Sequence, residues 1–278
     1  MALSDERLGE LAARLAAVPG VAAVLLGGSR ARGTHRPDSD TDLGIYYHRP
    51  LDVAALGVLA RAFGGPAAQV TPVGEWGPWV DGGGWLSVDG AAVDWIYRDV
   101  DRVARAWADA EQGRYAFHAQ AGHPLGVPDF AYAGEVALGV VLADPTGELG
   151  RIKERLRDYP AALGAAVVRR LDEARFLLGI VTKPAHREDT TFVAGCLFRV
   201  VTLCAHALHA RAGRWVVNEK GLVDAAGRLD PAPDDFAERA HDVLARLGTD
   251  ATSLRAAVGR AERLVDEVSR ACGTDAAR

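Results

Sequence analysis

Cysteine is scarce in this chain, and none of it is closely paired. Cys196, Cys204 and Cys272 form an odd set with no short paired spacing. If the first two share a helix they stand about 12 Å apart at about 1.5 Å per residue, too far for a disulfide. The three read as packing residues, and a reducing cytoplasm is the expected compartment. Long apolar runs also look absent: each reads as broken short of the ~20 residues a bilayer span requires. No basic start leads into an apolar h-region, so neither a signal peptide nor a membrane anchor is expected. Positive charge is not in excess. Lys and Arg number 32 against 37 Asp and Glu, a net charge of -5, which disfavours a broad nucleic-acid surface and leaves room only for a local basic patch. His118, His123 and His186 show no zinc-ligand spacing. The Gly-Lys-Ser/Thr ending of a Walker A loop is missing, as is the spaced-glycine dinucleotide fingerprint.

The chain has 278 residues, 49% hydrophobic and 25% charged, enough for a large core in one or two globular domains. Leu8, Leu11, Leu15 and Val18 have the spacing of an amphipathic helix over Asp5 to Val18. A turn at Pro19-Gly20 leads into an apolar strand, Val21 to Leu26, which runs directly into Gly27-Gly28-Ser29. A second strand is expected from Asp40 to Tyr47, then a helix from Leu51 to Phe63.

Between Gly64 and Gly90, eight glycines and three prolines interrupt Trp76, Trp79 and Trp85, which rules against a long helix there. Gln69 to Val73 reads as a short strand, and the tryptophans as edge and core packing or as a flap over a substrate. Trp85 to Val88, Asp89-Gly90 and Ala91 to Arg98 give a hairpin, since Asp-Gly suits a tight turn. Asp99 to Gly113 reads as a helix. In the second half, a long helix is expected from Leu163 to Val181, and paired apolar positions recur every four residues from Phe192-Val193 to Leu208. A similar stripe runs from Leu254 to Val268. The expected class is α+β, a small mixed-sheet domain over residues 1–146 followed by a helical-bundle domain over residues 147–278.

Period-two alternation puts Asp40 and Asp42 on one strand face and Thr41, Leu43 and Ile45 on the other. Adjacent carboxylates repel each other, and a divalent cation gives such a placement a purpose. Asp94 is an acid in the otherwise apolar strand Ala91 to Ile96. If that strand lies beside the first, Asp94 completes a three-carboxylate cluster able to hold Mg²⁺. Gly28 allows a close turn around phosphate and Ser29 can donate its hydroxyl to a phosphate oxygen. Arg30 or Arg32 can reach phosphate or stay in solvent.

Gly28-Ser29, Arg30-Ala-Arg-Gly33 and Ser39-Asp40-Thr41-Asp42-Leu43, with Asp94 as the third acid, resemble the signature of the DNA polymerase beta-like nucleotidyltransferase superfamily. The resemblance spans roughly residues 21–98. It implies a small mixed sheet followed by a variable, often helical domain that serves acceptor binding and nucleotide closure. It also implies transfer of a nucleoside monophosphate from a nucleoside triphosphate with loss of pyrophosphate. Residues 144–157 and 215–220 resemble small bacterial nucleotidyltransferases, and the two-part layout is similar to antibiotic-adenylylating members.

On that basis Asp40, Asp42 and Asp94 are the expected metal ligands and catalytic acids, with Mg²⁺ as cofactor and ATP or another nucleoside triphosphate as co-substrate. Gly28, Ser29, Arg30 and Lys220 are candidate nucleotide contacts, with Lys183 a further cation. The catalytic base is either Asp94 or a separate acid, for which Glu135 is the candidate; Glu135 can equally bind a cationic acceptor. A small-molecule hydroxyl is the favoured acceptor. The alternatives are transfer to a protein or nucleic-acid end, or a catalytically reduced nucleotide-binding regulator.

Overall fold

A computed structural model describes residues 3–274 of the chain. It divides into two compact units, Met1–Asp109 with Tyr115–Asp158, and Ala110–Arg114 with Tyr159–Arg278. The first holds a mixed sheet and the second is helical, so the architecture is α+β.

In the first unit, helix α1 (Asp5–Ala16) opens at Ser4, whose hydroxyl accepts the Arg7 backbone N–H at 3.2 Å. Asp5 and Glu6 lie in its first turn, where acidic groups complement the helix dipole. Strand β1 (Val21–Leu26), the four-residue α2 (Gly28–Ala31), β2 (Thr41–Tyr47) and α3 (Val53–Gly64) follow. Strands β3 (Gly83–Val88) and β4 (Ala91–Asp99) form the hairpin expected at Asp89-Gly90, with both turn residues at positive φ. The unit continues through α4 (Val100–Glu111), whose last two residues count with the second unit, a separate hairpin of β5 (Phe117–Gln120) and β6 (His123–Pro128), α5 (Ala131–Leu138), β7 (Val140–Ala143) and α6 (Glu148–Arg155).

The main sheet has the order β3-β4-β2-β1-β7. Only β2 and β4 run parallel; the other pairs are antiparallel. One face carries Val24, Leu43, Ile45, Tyr47, Val93, Trp95 and Tyr97, and packs with Leu11, Leu15, Leu56 and Phe63 into the unit's core. That burial fixes the register, because a one-residue slip would turn this apolar row to solvent. The alternate residues therefore occupy the opposite face.

In the second unit, α7 (Ala161–Val168), α8 (Leu171–His186), α9 (Thr190–Arg211), α10 (Leu222–Ala226), α11 (Phe236–Ala245) and α12 (Ala251–Ala271) form a bundle. Helix α9 is its centre, packed by α7, α8, α10, α11 and α12. Asp189 and Asp250 cap α9 and α12 by accepting backbone N–H groups.

Three sequence expectations are corrected. Residues 69–73 form no strand, although they lie along β3, where the Thr71 backbone N–H donates to the Gly83 carbonyl at 2.7 Å. The single helix over 163–181 is two helices, interrupted at Arg169-Arg170. The apolar stretch read as too short for a bilayer is long and apolar enough in α9, and 67% of its most apolar window is buried inside the protein.

Candidate active site

The parallel register pairs Thr41 with Val93, Asp42 with Asp94, Leu43 with Trp95, Gly44 with Ile96 and Tyr46 with Arg98. Neighbouring strands lie about 4.8 Å apart, so Asp42 and Asp94 stand side by side on the face opposite the core. Both are half-buried. Sequence alternation put each acid opposite the apolar residues of its own strand; the parallel pairing aligns the two in one row.

The row extends beyond both strands. On the β1 side, the Gly27 N–H donates to the Asp42 carbonyl at 2.8 Å, which draws the turn after β1 against Asp42. Gly28 has φ +61, and a β-carbon there would overlap Asp42 Oδ2. Only glycine fits both the backbone conformation and the contact. Ser29 follows in α2, half-buried, with its carbonyl accepting from the Thr34 N–H at 3.0 Å. On the other side, Trp85 of β3 pairs with Asp94. Directly opposed residues share a face, so the order along the sheet is the Gly28-Ser29 turn, Asp42, Asp94, Trp85.

Asp40 lies one residue ahead of β2 and is exposed. Its carbonyl and that of Ser39 accept from the Arg30 guanidinium, so Arg30 braces the approach to β2. Arg32 is exposed. Among the described residues, no group of three or more His, Cys, Asp or Glu side chains is arranged to hold a metal ion. Of the three expected acids, Asp42 and Asp94 share a row, and Asp40 lies two residues before Asp42, just outside β2. Two carboxylates suit Mg²⁺, which commonly takes one or two protein carboxylates and fills its shell with substrate phosphates and water. The donor chemistry fits a hard divalent cation; Asp42 and Asp94 would hold it.

Farther along the same face the environment closes. Tyr46 is fully buried and Arg98 nearly so. Glu135 on α5 accepts from Arg98 Nε at 2.5 Å and from a terminal nitrogen at 2.7 Å, a two-point ion pair. Burial alone would lower the Arg98 pKa, but the Glu135 carboxylate outweighs it and the net shift is upward. Burial, then the negative charge of Glu135, raises the Tyr46 pKa well above its usual value. Sequence reasoning placed Glu135 as a base or acceptor contact and missed Arg98. The signal was there: a lone base in an apolar strand and a lone acid in an apolar helix.

Arg98 and Arg102 also fix the glycine-rich segment. Arg98 donates to the Val80 carbonyl at 3.3 Å. Arg102 donates to the Pro78 carbonyl at 2.7 Å, to the buried Asp81 carboxylate at 3.1 Å and to the Tyr132 hydroxyl at 2.8 Å. Lys220 and Lys183 belong to the second unit, both exposed. The Lys220 N–H donates to the Asn218 side-chain oxygen at 3.0 Å.

The family model for a nucleotidyltransferase domain matches residues 8–70. That span contains the glycine-serine turn, Asp40 and Asp42, and stops before Asp94. No curated protein matches the chain. Among solved structures, the chain is similar to a nucleotidyltransferase-like protein from Exiguobacterium sibiricum, at 14% identity and a TM-score of 0.42, covering 96% of this chain and 77% of that one. At that score the likeness carries no argument about function.

Proposed function

With a nucleotidyltransferase domain at the N-terminus, we propose that the chain transfers a nucleoside monophosphate, AMP from ATP, to the hydroxyl of a small molecule. The observation that carries the reading is the row Gly28-Ser29, Asp42, Asp94 on the open face of the sheet. Nucleotidyltransferases work with a divalent metal, here taken as Mg²⁺, which neutralises phosphate charge when bound. Asp42 and Asp94 are its proposed ligands, with Asp40 joining them once substrate is bound.

The turn after β1 is suited to hold the β- and γ-phosphates through backbone N–H groups and the Ser29 hydroxyl. The acceptor oxygen then bonds to the α-phosphorus while the bond from that phosphorus to the α–β bridging oxygen breaks. Pyrophosphate leaves with that electron pair, and the hydroxyl proton passes to a carboxylate. Asp94 is the better candidate for that proton, because both Glu135 oxygens already accept from Arg98. Glu135 is more readily understood as the group that holds Arg98, and Arg30 as the brace of residues 39–40, than as substrate contacts. The acidic balance of the chain favours a small acceptor over a nucleic-acid end, and its three buried free cysteines accord with a reducing cytoplasm.

Pyrophosphate release measured over a panel of hydroxyl-bearing acceptors, with the product weighed by mass spectrometry, tests the reading. A product heavier by one nucleoside monophosphate, formed only with divalent metal, is expected. Nucleotide binding without transfer to any acceptor would favour a regulatory nucleotide-binding protein instead.

A further inference from the structure

Trp85 is 69% exposed, the highest value among the exposed large hydrophobic side chains. It sits on the outermost strand of the sheet, directly opposite Asp94 and on the same face. Its indole is stacked on that of Trp76, with ring centroids 4.4 Å apart and planes 18° from parallel. The core on the other face already contains Leu86 and Val88 from this strand, so Trp85 adds no packing there. An indole held in water beside a pair of carboxylates calls for a ligand.

The backbone beside Trp76 is also anchored. The Trp76 carbonyl accepts from Gln120 Nε2 at 2.6 Å, and Gln120 Oε1 accepts the Trp79 N–H at 3.2 Å. Trp79 is stacked in turn on His118 at 3.7 Å, and the segment behind it is fastened by Arg98 and Arg102. The strand register fixes the face that Trp85 occupies.

Position along the row decides which ligand. In-line displacement at phosphorus brings the attacking oxygen in opposite the leaving group. If pyrophosphate leaves at the Gly28-Ser29 end, the attacking hydroxyl arrives at the Asp94 end, beside Trp85. Cross-strand partners have β-carbons about 5 Å apart, so a ring lying on Trp85 has its rim at the Asp94 carboxylate. An indole face is electron-rich, so it accepts C–H faces and positive charge and disfavours anions.

Resting on the nucleotidyl-transfer reading for its role, we propose that the Trp76–Trp85 pair is the acceptor subsite. Its ligand is a saturated hydroxylated ring of the pyranose or cyclitol kind, without negative charge. The ring stacks on Trp85 and presents one hydroxyl to Asp94.

Binding can be read without turnover by saturation-transfer NMR on the full chain, in the presence of Mg²⁺ and the non-transferable analogue α,β-methylene-ATP. The probes are methyl glucopyranoside and myo-inositol, with glucose 6-phosphate as the anionic comparator. Saturation of the neutral rings is expected, weaker for the phosphate, and falling about fivefold in Trp85→Ala with recovery in Trp85→Phe. The analogue's own signal is expected to be the same in all three proteins. Absence of ring binding in the wild type, or equal ring binding in Trp85→Ala, overturns the proposal. So does a dimer that Trp85→Ala converts to monomer, since Trp85 would then be covered by a second copy. Ring binding that depends on Trp85 in a protein that fails to bind the analogue would retire the nucleotidyl-transfer reading and leave the ring subsite standing.

Discussion

Gly28 and Asp42 meet so closely that no β-carbon can stand between them. The Gly28 backbone is left-handed at φ +61, and an added methyl group would overlap the Asp42 carboxylate oxygen. The turn that follows β1 and the acid on β2 are therefore positioned by one contact. Gly28→Ala must displace either the turn or the carboxylate. The left-handed conformation costs about 1–2 kcal/mol for a residue with a β-carbon. A displacement of about 1 Å at the reacting groups lowers a rate by roughly 100-fold. The expected variant is folded, with slightly lower thermal stability and severely reduced transfer. Wild-type turnover in Gly28→Ala would show that the contact has no part in catalysis.

Asp42→Asn and Asp94→Asn keep side-chain size and remove charge from a half-buried face. Both variants are expected to fold, and each to lose transfer by at least about 100-fold, more than a change in a metal's outer shell produces. If the two acids serve one cation, as proposed, the double variant should be little worse than either single one. Additive losses in steady-state kinetics would indicate separate roles.

Glu135→Gln separates two assignments of that residue. If Glu135 holds Arg98, the amide leaves a buried guanidinium without its counter-charge, which costs about 3 kcal/mol. Chemical denaturation should show that loss, and Glu135→Gln combined with Arg98→Met should recover part of it. If Glu135 is the catalytic base, stability is unchanged and turnover alone collapses.

The helical unit should be acid-sensitive. Burial, reinforced by neighbouring His209 and opposed by Glu219, lowers the His206 pKa to about 3 from an ordinary 6.5. Below pH 6.5 the unfolded chain takes up a proton that the folded chain refuses. Stability contributed by neutral His206 is thus complete above about pH 6.5, falls as pH drops, and levels off near pH 3. The part lost between about pH 7.5 and pH 5 is about 2 kcal/mol. His206→Gln should flatten that dependence in denaturant melts; an equally steep profile in the variant would assign the acid sensitivity elsewhere.

Much of the sheet was legible because its period is strict. The apolar run after Pro19-Gly20 placed β1 at its observed bounds, and Asp89-Gly90 set the hairpin. Once that turn is fixed, Val88 pairs with Ala91 and Trp85 must face Asp94; the position of Trp85 followed from the register and was not drawn from it. Alternation alone could put Asp42 and Asp94 each opposite the apolar residues of its own strand, whereas their side-by-side alignment depends on a parallel pairing that no local pattern encodes. The break between α7 and α8 was hidden because Arg169-Arg170 are ordinary helix formers. The strand assigned to 69–73 has strand-like residues and lies along β3 without a continuous ladder. The Arg98–Glu135 pair joins residues 37 positions apart, a tertiary contact beyond the reach of periodicity.

Calorimetric titration of the chain with α,β-methylene-ATP tests the central claim most directly. Saturable binding is expected with Mg²⁺ and is expected to disappear when the metal is chelated. Binding at least about tenfold weaker is expected in Asp42→Asn and in Asp94→Asn, the effect of removing one ligand to a shared cation. Equal affinity with and without metal, or in the wild type and both variants, would contradict a metal–nucleotide site at the Asp42–Asp94 pair.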